Sequence, residues 1–370
     1  MSLNPLVGLG QLGQSPWYDF ITRDLVTSGE LARLIADDGL LGMTTNPTIF
    51  ERAVAGSELY DDDIRRLAAA GRTSPEIFEA LAVADVQAAC DLFLPVYQRT
   101  AGQDGLVSIE VSPALARDTA ATTVEAERLW RTVARPNAMI KIPGTAEGLP
   151  AVTRCISEGI NVNITLLFAV SRYEEVVDAY EAGLEARLGR GLAVDRVASV
   201  ASFFVSRVDS KVDPLLDQLG DPAQIRGRIA IANAAVAYQT FERRTSSDRW
   251  DGLATRGARP QRPLWASTST KDPRYPDVHY AEALIAPDTV NTLPPETFAA
   301  YRDHGKPAVR IHATLAAAEG QLDALETAGI DLLGVTRELE DEGVTKFAAS
   351  YSAALAAIEH KAAALAGAAR

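Results

Sequence analysis

The stretch Ala138-Met139-Ile140-Lys141-Ile142-Pro143-Gly144-Thr145 has the apolar composition of a buried β-strand, with a single lysine at its centre. A strand that is apolar on both faces is typical of a parallel sheet covered by helices. An ammonium group in this setting would be desolvated, which favours the neutral amine. A neutral amine can attack a ketone and form an iminium that serves as an electron sink. The stretch therefore predicts a parallel sheet and, in Lys141, a Schiff-base lysine.

Seven further strand-like segments flank this one, and most are followed by a segment with helical spacing. Strands that alternate with helices form parallel sheets, and about eight such units indicate a closed (β/α)8 barrel, the TIM barrel fold. An open doubly wound sheet is the alternative, but no Gly-x-Gly-x-x-Gly sequence follows an early strand. The predicted strands lie at residues 17–20, 42–45, 106–111, 138–142, within 160–168, within 196–204, 263–267 and 289–292.

Three segments lie outside this repeat and predict additional structure. A long, mostly helical excursion separates the second and third predicted strands. Residues 244–262 are polar and rich in arginine and glycine, which predicts an exposed loop. From about 345 to 367 the chain is rich in alanine, with large apolar residues at helical spacing. We therefore expect a single α/β barrel domain over residues 1–370 with a C-terminal helix, packed on the barrel or on the partner subunit of a homodimer.

Composition restricts the kind of partner. The chain has 370 residues, of which 47% are hydrophobic and 23% charged, with a net charge of −13 and a pI near 4.9. This charge argues against nucleic acid or an anionic membrane as a partner, and no segment resembles a signal peptide or a membrane span. Cys90 and Cys155 are interpreted as small buried residues of a cytoplasmic protein. The four histidines show no metal-ligand spacing, so we expect neither a metal nor a cofactor.

Polar side chains interrupt strands that should be apolar. A buried charge is costly unless it is paired or kept for chemistry, and barrel enzymes build their active sites at the carboxyl ends of the strands. A purely structural ion pair between Lys141 and a strand carboxylate is the alternative. Arg207 and Lys271 follow later strands and have the chemistry to grip a phosphate, unless they are solvated rim charges. The polar residues on or just after strands are Asp19, Glu110, Lys141, Asn163, Thr165 and Ser202.

Five ordered segments resemble the motifs of the transaldolase family. Residues 42–50 are similar to the first family signature, and residues 139–145 are similar to the second, which carries the Schiff-base lysine. Three further segments fall in the family's order, and the resemblance runs from about residue 17 to residue 291. These further segments are residues 108–112, 161–168 and 202–207.

The resemblance implies both a fold and a reaction. Members of the family are (β/α)8 barrels that move a dihydroxyacetone unit between phosphorylated sugars in the non-oxidative pentose phosphate pathway, without a cofactor. Sedoheptulose 7-phosphate and glyceraldehyde 3-phosphate would give erythrose 4-phosphate and fructose 6-phosphate. The expected partners are therefore phosphorylated sugars.

The resemblance also implies roles for individual residues. Lys141 would form the iminium, and Asp19 would take the proton of the donor's C4 hydroxyl. Glu110 would act through a bound water that Thr165 helps to position. Residues 266–271 depart from the family's arginine-bearing phosphate motif, and Lys271 enters because it ends a hydroxyl-rich run. The substrate-binding residues would be Asn46, Asn163, Ser202, Phe204, Arg207 and Lys271.

Two other functions compete with this interpretation. A fructose-6-phosphate aldolase resembles a small transaldolase, but it carries glutamine at the position of Glu110 and tyrosine at the position of Phe204, and it is much shorter. Both residues here favour transfer over the release of free dihydroxyacetone. A catalytically silent barrel used as a scaffold is disfavoured because every mechanistic position of the family is filled.

Overall fold

Eight parallel strands form a closed barrel in the order in which they occur in the chain. The computed structural model describes residues 4–45, 47–221 and 223–368. The predicted (β/α)8 barrel is confirmed, and each strand overlaps its predicted segment, although β1 begins three residues earlier than predicted. The strands are β1 (Gln14–Asp19), β2 (Gly42–Thr44), β3 (Leu106–Glu110), β4 (Ala138–Pro143), β5 (Val162–Leu167), β6 (Ser199–Phe204), β7 (Arg262–Ala266) and β8 (Thr289–Leu293).

Helices follow the strands and cover the outside of the barrel. Short 3₁₀ turns at Glu58–Tyr60 and Pro113–Leu115 complete the connections. No helix within the described residues has the length and apolarity to cross a membrane. The helices are α1 (Pro5–Gln11), α2 (Arg23–Thr27), α3 (Glu30–Asp37), α4 (Pro47–Gly56), α5 (Asp61–Ala69), α6 (Ser74–Arg99), α7 (Thr119–Val133), α8 (Gly148–Glu158), α9 (Val170–Gly189), α10 (Ser206–Leu219), α11 (Ile229–Thr245), α12 (Asp248–Ala254), α13 (His279–Ala283), α14 (Pro295–His304), α15 (Ile311–Thr327) and α16 (Leu332–Ala368).

The register between β1 and β2 depends on a glycine. Trp17 lies opposite Gly42, and a Cβ atom on Gly42 would come within 2.3 Å of the buried indole ring. No larger residue fits at this position without moving the ring. The same register brings Asp19 opposite Thr44 at the carboxyl ends of the two strands. A packing constraint deep in the barrel therefore fixes the position of a carboxylate at its mouth.

The prediction of an exposed loop at residues 244–262 was wrong. The end of α11 and the whole of α12 lie in this segment, and Trp250 is buried. Arg244 and Arg249 pair with the buried carboxylate of Glu181 on α9, at 2.7 and 2.9 Å. The segment was predicted to be exposed because of its arginines. A single sequence does not show that the charges of these arginines are neutralised by a carboxylate on another helix.

The C-terminal helix α16 is longer than predicted, since it begins at Leu332 rather than near residue 345. Its first half crosses the carboxyl-terminal mouth of the barrel, where Leu339 and Phe347 border the central cavity. Its second half packs on α4, α5 and α6, the predicted helical excursion between β2 and β3. Ile358 is fully buried there in a separate apolar cluster with residues such as Phe50 and Tyr60. The helix thus joins the excursion to the barrel mouth of its own chain.

Both cysteines lie inside helices and are fully buried, as predicted. Cys90 is in α6 and Cys155 is in α8. Burial raises the pKa of each thiol to about 12. Both side chains therefore stay neutral at physiological pH and act as small hydrophobic residues.

Candidate active site

A cavity of about 1020 Å³ opens at the carboxyl ends of the strands and contains most of the predicted site residues. It is bordered by strand ends, by α4 of the excursion and by α16. This is the end of an α/β barrel at which enzymes of this architecture place their chemistry. The predicted site residues that line it are Asp19, Lys141, Thr165, Ser202, Phe204, Arg207 and Lys271.

Lys141 is held inside the barrel by the register of three adjacent strands. Glu110 on β3 lies opposite Lys141 on β4, which in turn lies opposite Asn163 on β5. The Lys141 Nζ atom is 3.4 Å from Glu110 Oε2, and it donates a hydrogen bond to the Thr45 carbonyl at 3.0 Å. Only 4% of Lys141 is exposed. The amine is therefore desolvated and directly beside a carboxylate that can exchange a proton with it.

Glu110 has an environment suited to proton transfer near neutral pH. Burial raises the pKa of its carboxyl to about 7, while the positive charge of Lys141 opposes that rise and the negative charge of Asp19 adds to it. Within the described residues, no group donates a well-aligned hydrogen bond to either Glu110 oxygen or to the buried Thr165 hydroxyl. Buried polar atoms of this kind normally bind water or a ligand. A small adjoining cavity of about 60 Å³ borders Glu110 and has room for a few water molecules.

Asp19 ends β1, which β2 separates from Glu110 on β3. Its Oδ1 atom accepts a hydrogen bond of 2.8 Å from the Thr44 hydroxyl, which is 2.7 Å from the Thr292 hydroxyl. These hydroxyls on the two neighbouring strands hold the carboxylate in one orientation. A carboxylate fixed at the cavity wall can accept a proton from a bound hydroxyl group.

Asn163 and Ser202 form a buried polar pair inside the barrel. The Ser202 hydroxyl donates to Asn163 Oδ1 at 2.6 Å, and the Asn163 amide donates to the Ser108 hydroxyl at 3.0 Å. Ser202 borders the cavity, whereas Asn163 is fully buried beside it. The hydrogen bonds fix the orientation of both side chains.

The cationic end of the cavity is formed by residues that follow β6 and β7. The guanidinium of Arg207 lies 5.0 Å from the ring centroid of Phe204, and burial lowers the pKa of Arg207. The negative charges of Asp19 and Glu342 act on Arg207, but among the described residues no carboxylate is close enough to form an ion pair with it. Lys271 donates to the Ser269 hydroxyl, and both residues border the cavity. An incompletely neutralised arginine beside a lysine and a hydroxyl is suited to an anionic group such as phosphate.

Several cavity residues were missed by sequence reasoning. Ser269 lies in the hydroxyl-rich run that ends at Lys271. This run, in which serines alternate with Thr268 and Thr270, was the only feature of the sequence that pointed to Ser269 as a cavity residue. Lys346 and Phe347 come from α16, and nothing in the sequence shows that this helix crosses the barrel mouth. The predicted substrate-binding residue Asn46 lies outside the described residues. In the part of the chain that the structure describes, no group of His, Cys, Asp and Glu side chains is arranged to hold a metal ion.

Comparison with known proteins gives matches over nearly the whole chain. A family model described as Transaldolase/Fructose-6-phosphate aldolase matches residues 16–358. The chain is 52% identical over 359 residues to a transaldolase from Acidothermus cellulolyticus, with 96% of each chain covered. It is 46% identical over 373 residues to one from Trichodesmium erythraeum, with 98% of each covered. A transaldolase from Thermobifida fusca is 48% identical over 353 residues, which cover 94% of this chain and 95% of the relative.

Proposed function

This chain belongs to the transaldolase/fructose-6-phosphate aldolase family, and on that premise we propose that it transfers a dihydroxyacetone unit between phosphorylated sugars through a Schiff base on Lys141. Its relatives named transaldolase identify the activity as the transfer of aldehyde or ketone residues. In the proposed reaction, sedoheptulose 7-phosphate and glyceraldehyde 3-phosphate give erythrose 4-phosphate and fructose 6-phosphate. This is a step of the non-oxidative pentose phosphate pathway. The observation that carries the proposal is the buried Lys141 amine, 3.4 Å from the Glu110 carboxylate.

The first step is formation of the iminium. The Lys141 amine attacks the C2 carbonyl of the donor sugar, and the carbinolamine then loses its hydroxyl group as water. Loss of the hydroxyl group needs an acid, and attack by the amine needs a base. A single group that both donates and accepts protons near pH 7 can assist both steps. Glu110 has this property because burial raises the pKa of its carboxyl to about 7. A water held between Glu110 and the Thr165 hydroxyl would carry the proton, in keeping with the lack of protein partners for these buried oxygens.

The second step breaks the bond between C3 and C4 of the donor. Asp19 takes the proton of the C4 hydroxyl, the aldehyde product leaves, and the bonding electrons move into the iminium to give an enamine on Lys141. Transfer reverses this step with a different aldehyde. The hydrogen bond from Thr44 orients the Asp19 carboxylate for this role. The hydroxyls of the retained three-carbon unit would be bound by Asn46, Asn163 and Ser202.

The phosphate group of either substrate would lie at the cationic end of the cavity. Arg207 supplies a planar guanidinium that can hold two phosphate oxygens, and Lys271 with Ser269 supplies a second contact. The chain as a whole carries a net charge of −13, so an anionic substrate needs such a local concentration of positive charge. The aromatic ring of Phe204 helps to hold the Arg207 guanidinium in place through a cation–π contact.

Chemical trapping tests the proposal. Borohydride reduction in the presence of fructose 6-phosphate should convert the iminium to a stable secondary amine on Lys141, located by peptide mass spectrometry. Lys141→Ala should show neither adduct nor transfer. Lys211→Met is the matched control, because Lys211 also borders the cavity but is paired with glutamates of α16, and it should retain the adduct on Lys141. An adduct on another lysine, or transfer by Lys141→Ala, would overturn the proposal.

The choice between transfer and free cleavage is tested separately. Fructose 6-phosphate supplied without an aldehyde acceptor should release dihydroxyacetone only slowly, whereas added acceptor should give rapid turnover. Sustained release at the rate of transfer would indicate an aldolase. Glu110 and Phe204 are the residues that favour transfer.

A further inference from the structure

A glycine at the centre of its inner face lets the helix α16 lie close to the barrel mouth. Leu339, Gly343 and Phe347 are spaced four residues apart, so they share one face of the helix. That face is directed at the barrel, since Leu339 and Phe347 border the cavity and a Cβ atom on Gly343 would lie only 3.0 Å from the Leu166 side chain. Glycine at the central position lets the helix backbone settle on β5. The next side chain along this face, Phe347, therefore reaches into the site.

Ion pairs hold this part of α16 against the rim on several sides. Lys211 on α10 pairs with Glu338 at 2.7 Å and also with Glu342. Arg172 on α9 pairs with Glu340 at 3.5 Å. Arg117, in the loop after β3, pairs with Asp341. Each exposed pair contributes little alone, but together with the buried second half of the helix they define one seated position.

Phe347 covers the reactive amine in this position. Its ring centroid is 5.5 Å from Lys141 Nζ, and the residue is only 6% exposed. The other close neighbours of the amine are the Glu110 carboxylate and the Thr45 carbonyl. An aromatic ring is compatible with a cationic nitrogen because its face carries negative electrostatic potential. It supplies no oxygen that could act as a nucleophile, and it occupies space that water would otherwise fill.

We propose that Phe347 keeps water away from the enamine on Lys141, so that C3 is not protonated and the dihydroxyacetone unit stays on the enzyme until an acceptor aldehyde binds. This inference rests on the proposed Schiff-base function. It identifies a residue that determines whether the three-carbon unit of the intermediate is transferred or released. Phe347 acts through the exclusion of water and does not itself exchange a proton with the substrate.

The two fates of the intermediate differ in what adds to C3 of the enamine. In transfer, C3 forms a bond to the acceptor's carbonyl carbon, whose oxygen takes up a proton, and water then hydrolyses the resulting iminium to give the product ketose and the Lys141 amine. In release, C3 of the enamine takes up a proton instead, which regenerates an iminium. Water then adds to C2, a proton passes to the nitrogen, and the C2–N bond breaks to give free dihydroxyacetone and the Lys141 amine. Hydrolysis of an iminium ends both fates, so a ring that keeps water away from the enamine favours transfer because it withholds the proton that C3 takes up only in release.

The test compares release with transfer in the full-length enzyme. The rate of dihydroxyacetone release from fructose 6-phosphate without acceptor is divided by the rate of transfer from fructose 6-phosphate to erythrose 4-phosphate. Phe347→Ala should raise this ratio about tenfold, because loss of the ring lets water reach the enamine and protonate C3. Phe347→Leu retains bulk without the aromatic face, and we expect a smaller rise.

Ile358→Ala is the matched control. Ile358 is a fully buried residue of the same helix, but it packs on the excursion and has no contact with the active-site cavity. This variant loosens α16 without removing the ring, and its ratio should stay at the wild-type value. If Ile358→Ala raises the ratio as much as Phe347→Ala, the position of the whole helix controls the ratio rather than the Phe347 ring, and the proposal is overturned.

Borohydride trapping separates failure of this inference from failure of the proposed function. Trapping on Lys141 with an unchanged ratio in both Phe347 variants would overturn the shielding role alone. Loss of trapping in the wild-type enzyme would overturn the Schiff-base function itself. If Phe347→Ala does not fold, the Phe347→Leu ratio decides: a rise supports shielding and an unchanged value contradicts it.

Discussion

At the scale of single residues, the site depends on how burial changes the chemistry of a few charged groups. Lys141 and Glu110 have side chains that are 6% and 5% exposed, and burial, Lys141 and Asp19 together set the pKa of the Glu110 carboxyl. The Arg207 guanidinium is mostly buried but has no carboxylate partner within 4 Å among the described residues. Asp19, Lys141 and Arg207 all border one cavity.

The pH dependence of the reaction should report Glu110. Burial raises the pKa of its carboxyl to about 7, so below that pH the carboxyl is protonated and cannot accept a proton from Lys141. The value of kcat/KM should therefore fall as the pH is lowered through about 7. Glu110→Gln should lower kcat by about 100-fold or more and abolish this inflection. Glu125→Gln, which alters another carboxylate that borders the same small cavity, should keep it.

Removal of the Arg207 guanidinium should weaken binding of the phosphate. Hydrogen bonds to charged groups are worth about 1.5–3 kcal/mol, so Arg207→Ala should lower kcat/KM for fructose 6-phosphate by about 10- to 100-fold. The rate with unphosphorylated fructose should change far less. Arg196→Ala, which removes an exposed arginine before β6, is the control and should leave both substrates unaffected. An equal loss for both sugars in Arg207→Ala would show that Arg207 does not bind the phosphate.

At the scale of secondary-structure elements, polar helices are held on the barrel by carboxylates that a single sequence does not connect to them. Glu181 on α9 is buried and receives Arg244 from α11 and Arg249 from α12. The exposed-loop prediction failed because this pairing joins residues more than sixty positions apart. The excursion between β2 and β3 was predicted, but its contact with α16 was not.

Loss of the Glu181 charge should destabilise this group of helices. Glu181→Gln leaves two partly buried guanidinium groups without their buried partner, and the free energy of unfolding should fall by about 1–3 kcal/mol. Asp178→Asn is the matched control, since Asp178 pairs with the same arginines but is 55% exposed, and it should change stability by less than about 0.5 kcal/mol. Urea unfolding followed by circular dichroism measures both. Equal effects in the two variants would contradict the importance of burial.

At the scale of the whole molecule, a buried carboxylate should make stability depend on pH. Asp209 on α10 accepts hydrogen bonds from the Ala230 amide at 2.7 Å and from the Tyr280 hydroxyl at 3.0 Å, and so joins three helices around the barrel. Burial raises the pKa of Asp209 to about 7, and the nearby charge of Asp213 adds to the rise. Between about pH 4 and pH 7 the unfolded chain has released this proton while the folded chain has not. The free energy of unfolding should therefore fall as the pH rises through that range.

Substitution of Asp209 tests this linkage. Asp209→Asn cannot titrate. Its amide oxygen can accept the hydrogen bond from the Ala230 amide, and its amide nitrogen can donate to the Tyr280 hydroxyl, which then acts as the acceptor. The variant should gain stability relative to wild type as the pH is raised from 4 to 8, by at most about 4 kcal/mol. Asp217→Asn, on the same helix but 46% exposed, should keep the wild-type dependence. The measurement is the urea midpoint of unfolding at several pH values in this range. If the midpoints of wild type and Asp209→Asn change with pH in the same way, Asp209 is not the group responsible for the pH dependence.

The sequence by itself determined the barrel and most of the site. Alternation of apolar strands with helices specified eight parallel strands, because such strands must be covered on both faces. Polar residues on these strands, such as Lys141, Glu110 and Ser202, stood out because burial makes them costly without a purpose. Their approach to one another followed from the convergence of strand ends in a closed barrel.

Only the tertiary structure decided the contacts made between distant segments. The position of α16 over the mouth, and hence of Phe347 over Lys141, depends on packing with the excursion and on ion pairs with three other elements. The pKa of Glu110 likewise depends on how completely neighbouring strands exclude water from it. Periodicity in a sequence reports which face of an element is buried, but it carries no information about which distant segment covers that face.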